Sequence, residues 1–311
     1  ANNDQFDVQL AVHKIYQGKE KTTKKSLILS TWQSVYEMPP SYFEKFDFVI
    51  ADEAHLCKAK SLTSILTSCI NSKYRIGLTG TLDGTKTHKL VLEGLFGPVK
   101  DVQKTKSLID RGDLAELDIK CLVLKHPENI CKQSRDWDYQ SEIDYIVSSK
   151  ARNEFIRNLA ISLEGNSLIL FNLVEKHGKQ LHKLIEEKAG NRHVFFVHGG
   201  TEVEVREQVR AITEKENNAI IVASYGTFST GVNIRNLHNV IFASPSKSRV
   251  RNLQSIGRGL RKGDNKETAT LFDIADDMRI GKHANFTLNH FIERVKIYDE
   301  EKFNYKFYNI E

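Results

Sequence analysis

The sequence predicts an α/β protein built from two parallel-sheet domains in tandem, the first incomplete at its N-terminus. Three observations carry that prediction. Short apolar runs alternate with helical patterns, pause over a polar interval, and then start the alternation again. The 311 residues exceed one ordinary core, and a hydrophobic content of 40% is enough to fill two. Several apolar runs end abruptly in polar side chains, most sharply where Phe46-Asp47-Phe48-Val49-Ile50-Ala51 meets Asp52, Glu53 and His55.

In chain order, Val8 to Tyr16 has the content of a strand and Gly18 to Lys25 that of a charged loop. Ser26 to Thr31 is a second strand, whose polar end runs into Trp32-Gln33-Ser34-Val35. After Met38-Pro39-Pro40 and a short helix comes Phe46 to Ile50, a run of aromatic and β-branched residues bounded by charge, which suits a strand covered on both faces. Leu62 to Ile70 has helical spacing, and Tyr74 to Leu78 is a strand ending in Thr79-Gly80-Thr81. A helix near Leu108 gives way to a polar turn, which places a boundary at Glu116 and divides the chain into residues 1–116 and 117–311.

The second half opens with the apolar stretch Ile119 to Leu124 and a polar loop from His126 to Tyr139, followed by a helix through Leu163. Strands are predicted over Ser167 to Phe171, Val194 to His198, Ala219 to Ala223 and Val240 to Ala243, with helices over Val174 to Ala189 and Val203 to Lys215. Phe286 to Ile297 carries Leu288, Phe291, Ile292 and Val295 at the spacing of a core-facing helix.

Composition excludes several classes. No run of about eighteen apolar residues offers a membrane span, and Ala1-Asn2-Asn3-Asp4 has neither the charge nor the apolar core of a signal peptide. The chain is expected to be soluble and intracellular, and its start reads like the middle of a longer protein. Cys57, Cys69, Cys121 and Cys131 show no C-x-x-C spacing, which argues against structural zinc or a redox pair. A net charge of +5 permits an anionic partner without demanding one.

In open α/β sheets ligands sit beyond the carboxyl ends of the strands. Asp52, Glu53 and His55 fall there, and Thr79-Gly80-Thr81 emerges along the same edge. Two adjacent carboxylates suit a magnesium ion and a steered water, although a lone Asp-Glu pair is more often a solvated strand end. Gly226-Thr227-Phe228-Ser229-Thr230-Gly231 reads as a loop after the Ile220–Ser224 strand, with small residues that let backbone amides approach phosphate. Alone, such a loop is usually only a turn. Arg258 and Arg261 are three apart and share a face if helical, which suits a polyphosphate or, more blandly, a solvated basic surface.

Taken in order, these segments resemble the superfamily-two helicases, with a DEAH-type motif II at Asp52-Glu53-Ala54-His55 and motif III at Thr79-Gly80-Thr81. Ser167 to Leu181 is similar to motif IV, Val197-His198-Gly199-Gly200 to the segment after it, Ser224 to Asn233 to motif V, and Gln254 to Arg261 to the Q-x-x-G-R-x-x-R of motif VI. Within that family, Ser30 to Val35, Val222 to Gly231 and Glu301 to Tyr305 resemble the recombination helicases of T-even bacteriophages.

The resemblance implies two RecA-like domains, ATP and Mg2+ as cofactors, and branched DNA, single strands or RNA–DNA hybrids as partners, in the host-cell cytoplasm for a phage-encoded protein. It also implies roles. Asp52 would hold magnesium through water, Glu53 would act as general base, and His55 would link the nucleotide site to Gln254 or to Thr79 and Thr81. Arg258 and Arg261 would be arginine fingers, and Gly231 would lie near the ribose. Thr31, Asn172, Thr201, Ser224 and Thr227 would touch nucleic-acid phosphates.

One part of the family pattern is absent from the sequence. A nucleotide motor cradles phosphates with G-x-x-x-x-G-K-[ST], and Gly84-Thr85-Lys86-Thr87 does not fit it and reads as a loop. The phosphate loop would precede Ala1. The first domain is then expected to show open apolar faces, and the fragment to lack ATPase activity. The rival readings are a non-catalytic DNA-binding or strand-annealing module and the motor part of a restriction subunit.

Overall fold

The structure is a computed structural model. It describes residues 7–311 except 17, 81, 83, 84, 101, 103, 104, 232, 233, 247, 260–267 and 282, and describes only the backbone of 229–231, 249–251, 258 and 259. The chain divides into two compact units, residues 1–100 and 101–311.

The first unit runs α1 (Val8–Ala11), β1 (Val12–Ile15), β2 (Leu27–Ser30), α2 (Trp32–Val35), α3 (Pro40–Phe43), β3 (Phe48–Ala51), α4 (Lys60–Ser68), β4 (Tyr74–Gly77) and α5 (Lys86–Phe96). The strand expected from Val8 begins instead with a helical turn, because Asp7 Oδ1 accepts hydrogen bonds from the amides of Gln9 and Leu10 at 2.8 and 3.2 Å. The expected loop at Thr85-Lys86-Thr87 is the start of α5, which Thr85 caps by accepting from His88 N; Gly84 lies outside the described residues.

β1 pairs with β2, and β3 with β4, as two separate parallel ladders. A two-stranded ladder has too few neighbours to cover both of its faces. β3 is accordingly open on one side, against expectation: Phe48 and Ile50 are 48% and 56% exposed, while Val49 and Ala51 pack inward toward clusters that include Phe43, Leu66 and Leu92. Leu29 on β2 and Ile76 on β4 are exposed as well, so the apolar faces predicted to be open are open.

The second unit begins with α6 (Thr105–Asp110), β5 (Glu116–Lys125), α7 (Glu128–Ser134), α8 (Tyr139–Ser148), α9 (Lys150–Ser162), β6 (Ser167–Phe171) and α10 (Lys179–Glu186). It continues through β7 (Val194–Val197), α11 (Val203–Lys215), β8 (Ile220–Ser224), α12 (Tyr225–Gly231), β9 (Asn239–Phe242), α13 (Arg249–Gly259), β10 (Thr268–Asp277), α14 (Phe286–Glu300) and β11 (Asn304–Ile310). Its seven strands form one sheet in the order β11-β5-β10-β9-β6-β8-β7, with every neighbouring pair parallel. All five residues of the interior strand β6 are buried, as an apolar run covered on both faces requires. One face packs Leu168, Leu170 and Ile221 under Phe228 and Phe291; the other packs Ile169, Phe171 and Val222 under Ile156, Leu181 and Ile185. Each such side chain contributes about 1.5–3 kcal/mol.

Several local expectations are corrected. The loop after His126 contains α7, because Cys131 turns inward onto Ile146 and Met278. The helix through Leu163 is two helices, broken at Ser149, whose hydroxyl accepts from Arg152 N and caps the second. Val174–Gly178 is a π-helical turn rather than the first turn of α10. Gly178 is required there, since a Cβ would meet the Phe171 ring at 2.4 Å. The Gly226–Gly231 loop is helical, α12: Tyr225 and Phe228, three apart, are 1% and 0% exposed and anchor it. On α14, Leu288 and Phe291 are buried as expected, but Ile292 is 43% exposed and Arg294 takes an inward position.

Candidate functional site

β3 delivers Asp52 and Glu53 to its carboxyl end. Asp52 Oδ1 accepts from Glu53 N at 2.9 Å, and Glu53 adopts a left-handed backbone with φ 50°. A non-glycine residue in that region is strained by roughly 1–3 kcal/mol and is held only where its surroundings fix it. Those surroundings are visible: Ala54 N donates to Leu78 O and Leu78 N to Ala51 O, both at 2.8 Å, which staples the turn to the end of β4. His55, buried at 9% exposure, places Nδ1 3.0 Å from Thr79 Oγ1 and 3.2 Å from Glu53 Oε2. Because a carboxylate can only accept, a proton on Nδ1 serves Glu53, with the Thr79 hydroxyl beside it. Asp52, Glu53, His55 and Thr79 are thus brought together; Thr81 lies outside the described residues.

The carboxylates line an open groove of about 500 Å³ whose lining also includes Leu29, Thr31 and Trp32. Thr31 Oγ1 is exposed and shares a 2.9 Å hydrogen bond with Ser34. Among the described residues, no group of three or more His, Cys, Asp or Glu side chains is placed to hold a metal. Asp52 and Glu53 supply two carboxylates at this edge, and a magnesium ion commonly takes one or two from protein, with water and phosphate oxygens completing its shell.

In the second unit, the predicted phosphate contacts all lie at the carboxyl ends of strands in the single parallel sheet. Asn172 follows β6, its amide donating to Ser244 Oγ at 3.2 Å and its side chain to Pro245 O at 3.0 Å. Thr201 follows β7 and accepts from His198 N at 2.9 Å. Ser224 ends β8 and bonds Thr227 Oγ1 at 2.8 Å, with Thr227 only 5% exposed. These side chains shape the edge as well as lining it. Gly231 closes α12, Gln254 is half-buried on α13, and Arg258 is on the same helix; Arg261 lies outside the described residues.

Two buried ionic clusters brace this edge, and sequence reasoning did not find the pairing of Arg294 with Asp273. Arg294 on α14 donates to both oxygens of Asp273 on β10 at 2.7–3.1 Å and to Ser246 O at 3.0 Å, while Tyr298 OH reaches Asp273 Oδ2 at 2.7 Å. Burial favours a neutral Arg294, but Asp273 outweighs it and holds the guanidinium more firmly protonated than usual. Burial raises the Tyr298 phenol, and the Asp273 charge adds to the rise.

Arg152 Nε and His126 Nε2 meet Asp276 Oδ1 at 2.8 and 3.1 Å. Burial pushes the Asp276 carboxyl up, yet the Arg152 charge and the bonds from His126 and Arg152 leave it below the usual range. Asp277 is gripped by Arg279 and Lys125. Asp276 and Asp277 thus pair within their own unit. The available signal was an aspartate, Asp273, in the middle of an apolar strand.

Residues 2–84 match the family described as "Type III restriction enzyme, res subunit", and residues 151–263 the "Helicase conserved C-terminal domain". The chain is 35% identical over 292 residues to the ATP-dependent DNA helicase UvsW of Enterobacteria phage T4, covering 90% of this chain and 58% of that protein. It is 24% identical over 245 residues to the putative ATP-dependent helicase IRC3 of Saccharomyces cerevisiae, covering 76% and 35%. It therefore spans little more than half of the first relative and about a third of the second. Among solved structures, the crystal structure of T4 UvsW matches with a TM-score of 0.56 and 32% identity, over 97% of this chain and 62% of that one. A fragment of a putative HsdR subunit of a type I restriction enzyme from Vibrio vulnificus matches at 0.69 with 17% identity, over 97% and 56%, which speaks for the fold alone. With its motifs in order, two RecA-like parallel-sheet units and this likeness to UvsW, the chain belongs to the superfamily-two helicases.

Proposed function

We propose that the chain is the motor core of an ATP-dependent nucleic-acid helicase or translocase that acts on branched DNA or RNA–DNA hybrids in recombination and replication-fork repair. The observation that carries this is the junction at the tip of β3: two carboxylates line an open groove and a buried histidine reaches both Glu53 and Thr79. The 35% identity to UvsW, an ATP-dependent DNA helicase, supports DNA as the nucleic acid.

In this reading Asp52 holds magnesium through water, Glu53 takes a proton from the attacking water, and His55 passes the state of that carboxylate to Thr79, Thr81 or Gln254. ATP supplies the phosphoryl group whose charge Arg258 and Arg261 offset, with Gly231 near the ribose. Thr31, Asn172, Thr201, Ser224 and Thr227 contact phosphates, so binding tolerates any base sequence and weakens with salt. The boundary between the two motor domains is placed near residue 116 of the sequence, and a phage-encoded protein would work in the host-cell cytoplasm.

Residues 1–311 contain no G-x-x-x-x-G-K-[ST], and alone they neither bind ATP tightly nor hydrolyse it. The test is DNA-stimulated ATPase and fork unwinding by a polypeptide that joins this chain to a phosphate-loop segment. Glu53→Gln should lower turnover about 10²–10⁴-fold. Unchanged turnover in that variant, or normal turnover by residues 1–311 alone, would overturn the assignment. The match of residues 2–84 to the restriction-subunit family favours a second reading, a DNA-translocating restriction motor. Translocation without strand separation would select it.

A further inference from the structure

Between β9 and α13 the chain passes through Ser244-Pro245-Ser246, and this short link is bonded by five elements of the second unit. Asn172, at the end of β6, donates its amide to Ser244 Oγ and its side chain to Pro245 O. His177 Nδ1 lies 3.0 Å from Ser244 Oγ, and Tyr225 OH of α12 donates to Ser244 O at 3.3 Å. Ser246 O accepts from Arg294 of α14 at 3.0 Å and from Asn252 of α13 at 3.3 Å. Ser244, Ser246 and Asn252 are 3%, 6% and 0% exposed.

The protons in this chain are determined. Asn153 Nδ2 donates to Val147 O, which leaves Asn153 Oδ1 to accept from His177 Nε2 at 3.1 Å. Burial, with the Arg152 charge adding, lowers the His177 pKa to about 3, so the ring is neutral and Nδ1 accepts the Ser244 hydroxyl. Ser244 Oγ is then free to accept from Asn172 N. A buried network satisfied in this directional way has little slack, and Pro245 removes a backbone torsion from the link. Asn172 cannot shift without loosening the link or carrying it along.

α13 is held differently. On its buried side Asn252 Oδ1 and Ser255 Oγ have no hydrogen-bond partner among the described residues. An unsatisfied polar face gives the helix reason to settle elsewhere when pulled.

We infer that Ser244-Pro245-Ser246 is a mechanical joint through which nucleic acid engaged at the β6 edge repositions α13, with Ser244 and Arg294 as its positioning residues. Asp273 and Tyr298 fix Arg294 to the sheet, so one end of the joint is anchored while the other follows Asn172. This rests on the function proposed above, because α13 carries Gln254 and Arg258.

The test uses the whole chain and a fluorescein-labelled oligothymidine, with anisotropy for binding and hydrogen exchange for residues 249–259. In the parent chain, oligothymidine should change exchange across α13 roughly fivefold or more, the lower end of usual coupling between sites. Ser244→Ala, which removes only the hydroxyl, should still bind oligothymidine but lose most of that ligand-induced change. Tyr225→Phe, which removes one bond to Ser244 O and leaves the core ring in place, should reduce it in part. A merely structural role would alter exchange with and without oligothymidine alike, leaving the difference intact. Binding without any change in α13, or full transmission in both variants, would overturn the joint and leave the proposed function standing. No binding by the parent chain would remove the proposed function and the joint with it.

Discussion

Replacing Arg294 tests the energetics of the second unit most directly. Its guanidinium is 1% exposed and supplies three hydrogen-bonding contacts to Asp273, itself 0% exposed, and one to Ser246 O. Arg294→Met keeps most of the volume and removes the charge, leaving the Asp273 carboxylate buried beside the Tyr298 hydroxyl. Breaking a buried pair in this way costs about 3–5 kcal/mol, because the surviving charge is stranded. Tyr298→Phe removes one hydrogen bond to a charged group and should cost about 1.5–3 kcal/mol. Arg294→Met combined with Asp273→Leu should recover most of the loss, since an apolar pair of similar volume carries no desolvation penalty.

The assay is urea unfolding followed by Trp137 fluorescence in a Trp32→Phe background. The protein has two tryptophans, one in each unit, so the signal then reports the second unit alone. A loss below about 1 kcal/mol for Arg294→Met, or a double variant no more stable than the single one, would refute the reasoning.

Three further outcomes are expected. His177 stays neutral when folded, with its pKa lowered to about 3, so the unfolded chain binds the extra proton between that value and about 6.5; stability falls as pH drops through this window, by up to about 1.4 kcal/mol per pH unit. His177→Gln should flatten that dependence between pH 7 and 5, and an unchanged slope in urea midpoints would exclude His177 as its source. Gly178→Ala should destabilise by about 1–3 kcal/mol, since its Cβ would overlap the fully buried Phe171 ring; thermal melts measure this, and a neutral effect would show that the π-helical turn relaxes. Oligonucleotide binding should weaken steeply between low and physiological salt and depend little on base sequence, and a salt-independent affinity would argue against phosphate contacts.

The sheet of the second unit was legible because its strands are apolar runs that only a fully covered parallel sheet can hold, as in Ser167–Phe171. β11 was not recognised, because Asn304–Ile310 is neither a continuous apolar run nor a regular alternation, with Phe307 and Tyr308 adjacent, and only its pairing with β5 makes it the last strand. α12 was misread for a definite reason. Gly226, Gly231 and the hydroxyl residues look like a loop, and only the burial of Tyr225 and Phe228 reveals a helix.

Within the candidate site, Asp52, Glu53 and His55 were legible as a motif, whereas the left-handed backbone at Glu53 and the contact between His55 and Thr79 depend on β4 lying beside β3. Arg294 was hidden because it interrupts the apolar stripe of a helix, and its partner is 21 residues away on a strand. Tertiary pairing, not local pattern, decides such a position.

The place of β5 in the sheet bears on synthesis. β5 is the first strand of its unit, yet both of its neighbours, β10 and β11, come from the far end of the chain. About 140 residues separate β5 from β10. At about 5–20 residues per second, a ribosome makes them in roughly 7–30 s. For that interval a strand containing Ile119, Cys121, Leu122, Val123 and Leu124 has emerged with neither native partner made. Such an edge pairs readily with other chains. A nascent polypeptide stalled between β5 and β10 should therefore be a strong chaperone client, and its dependence on chaperones should end only once β10 is free to pair.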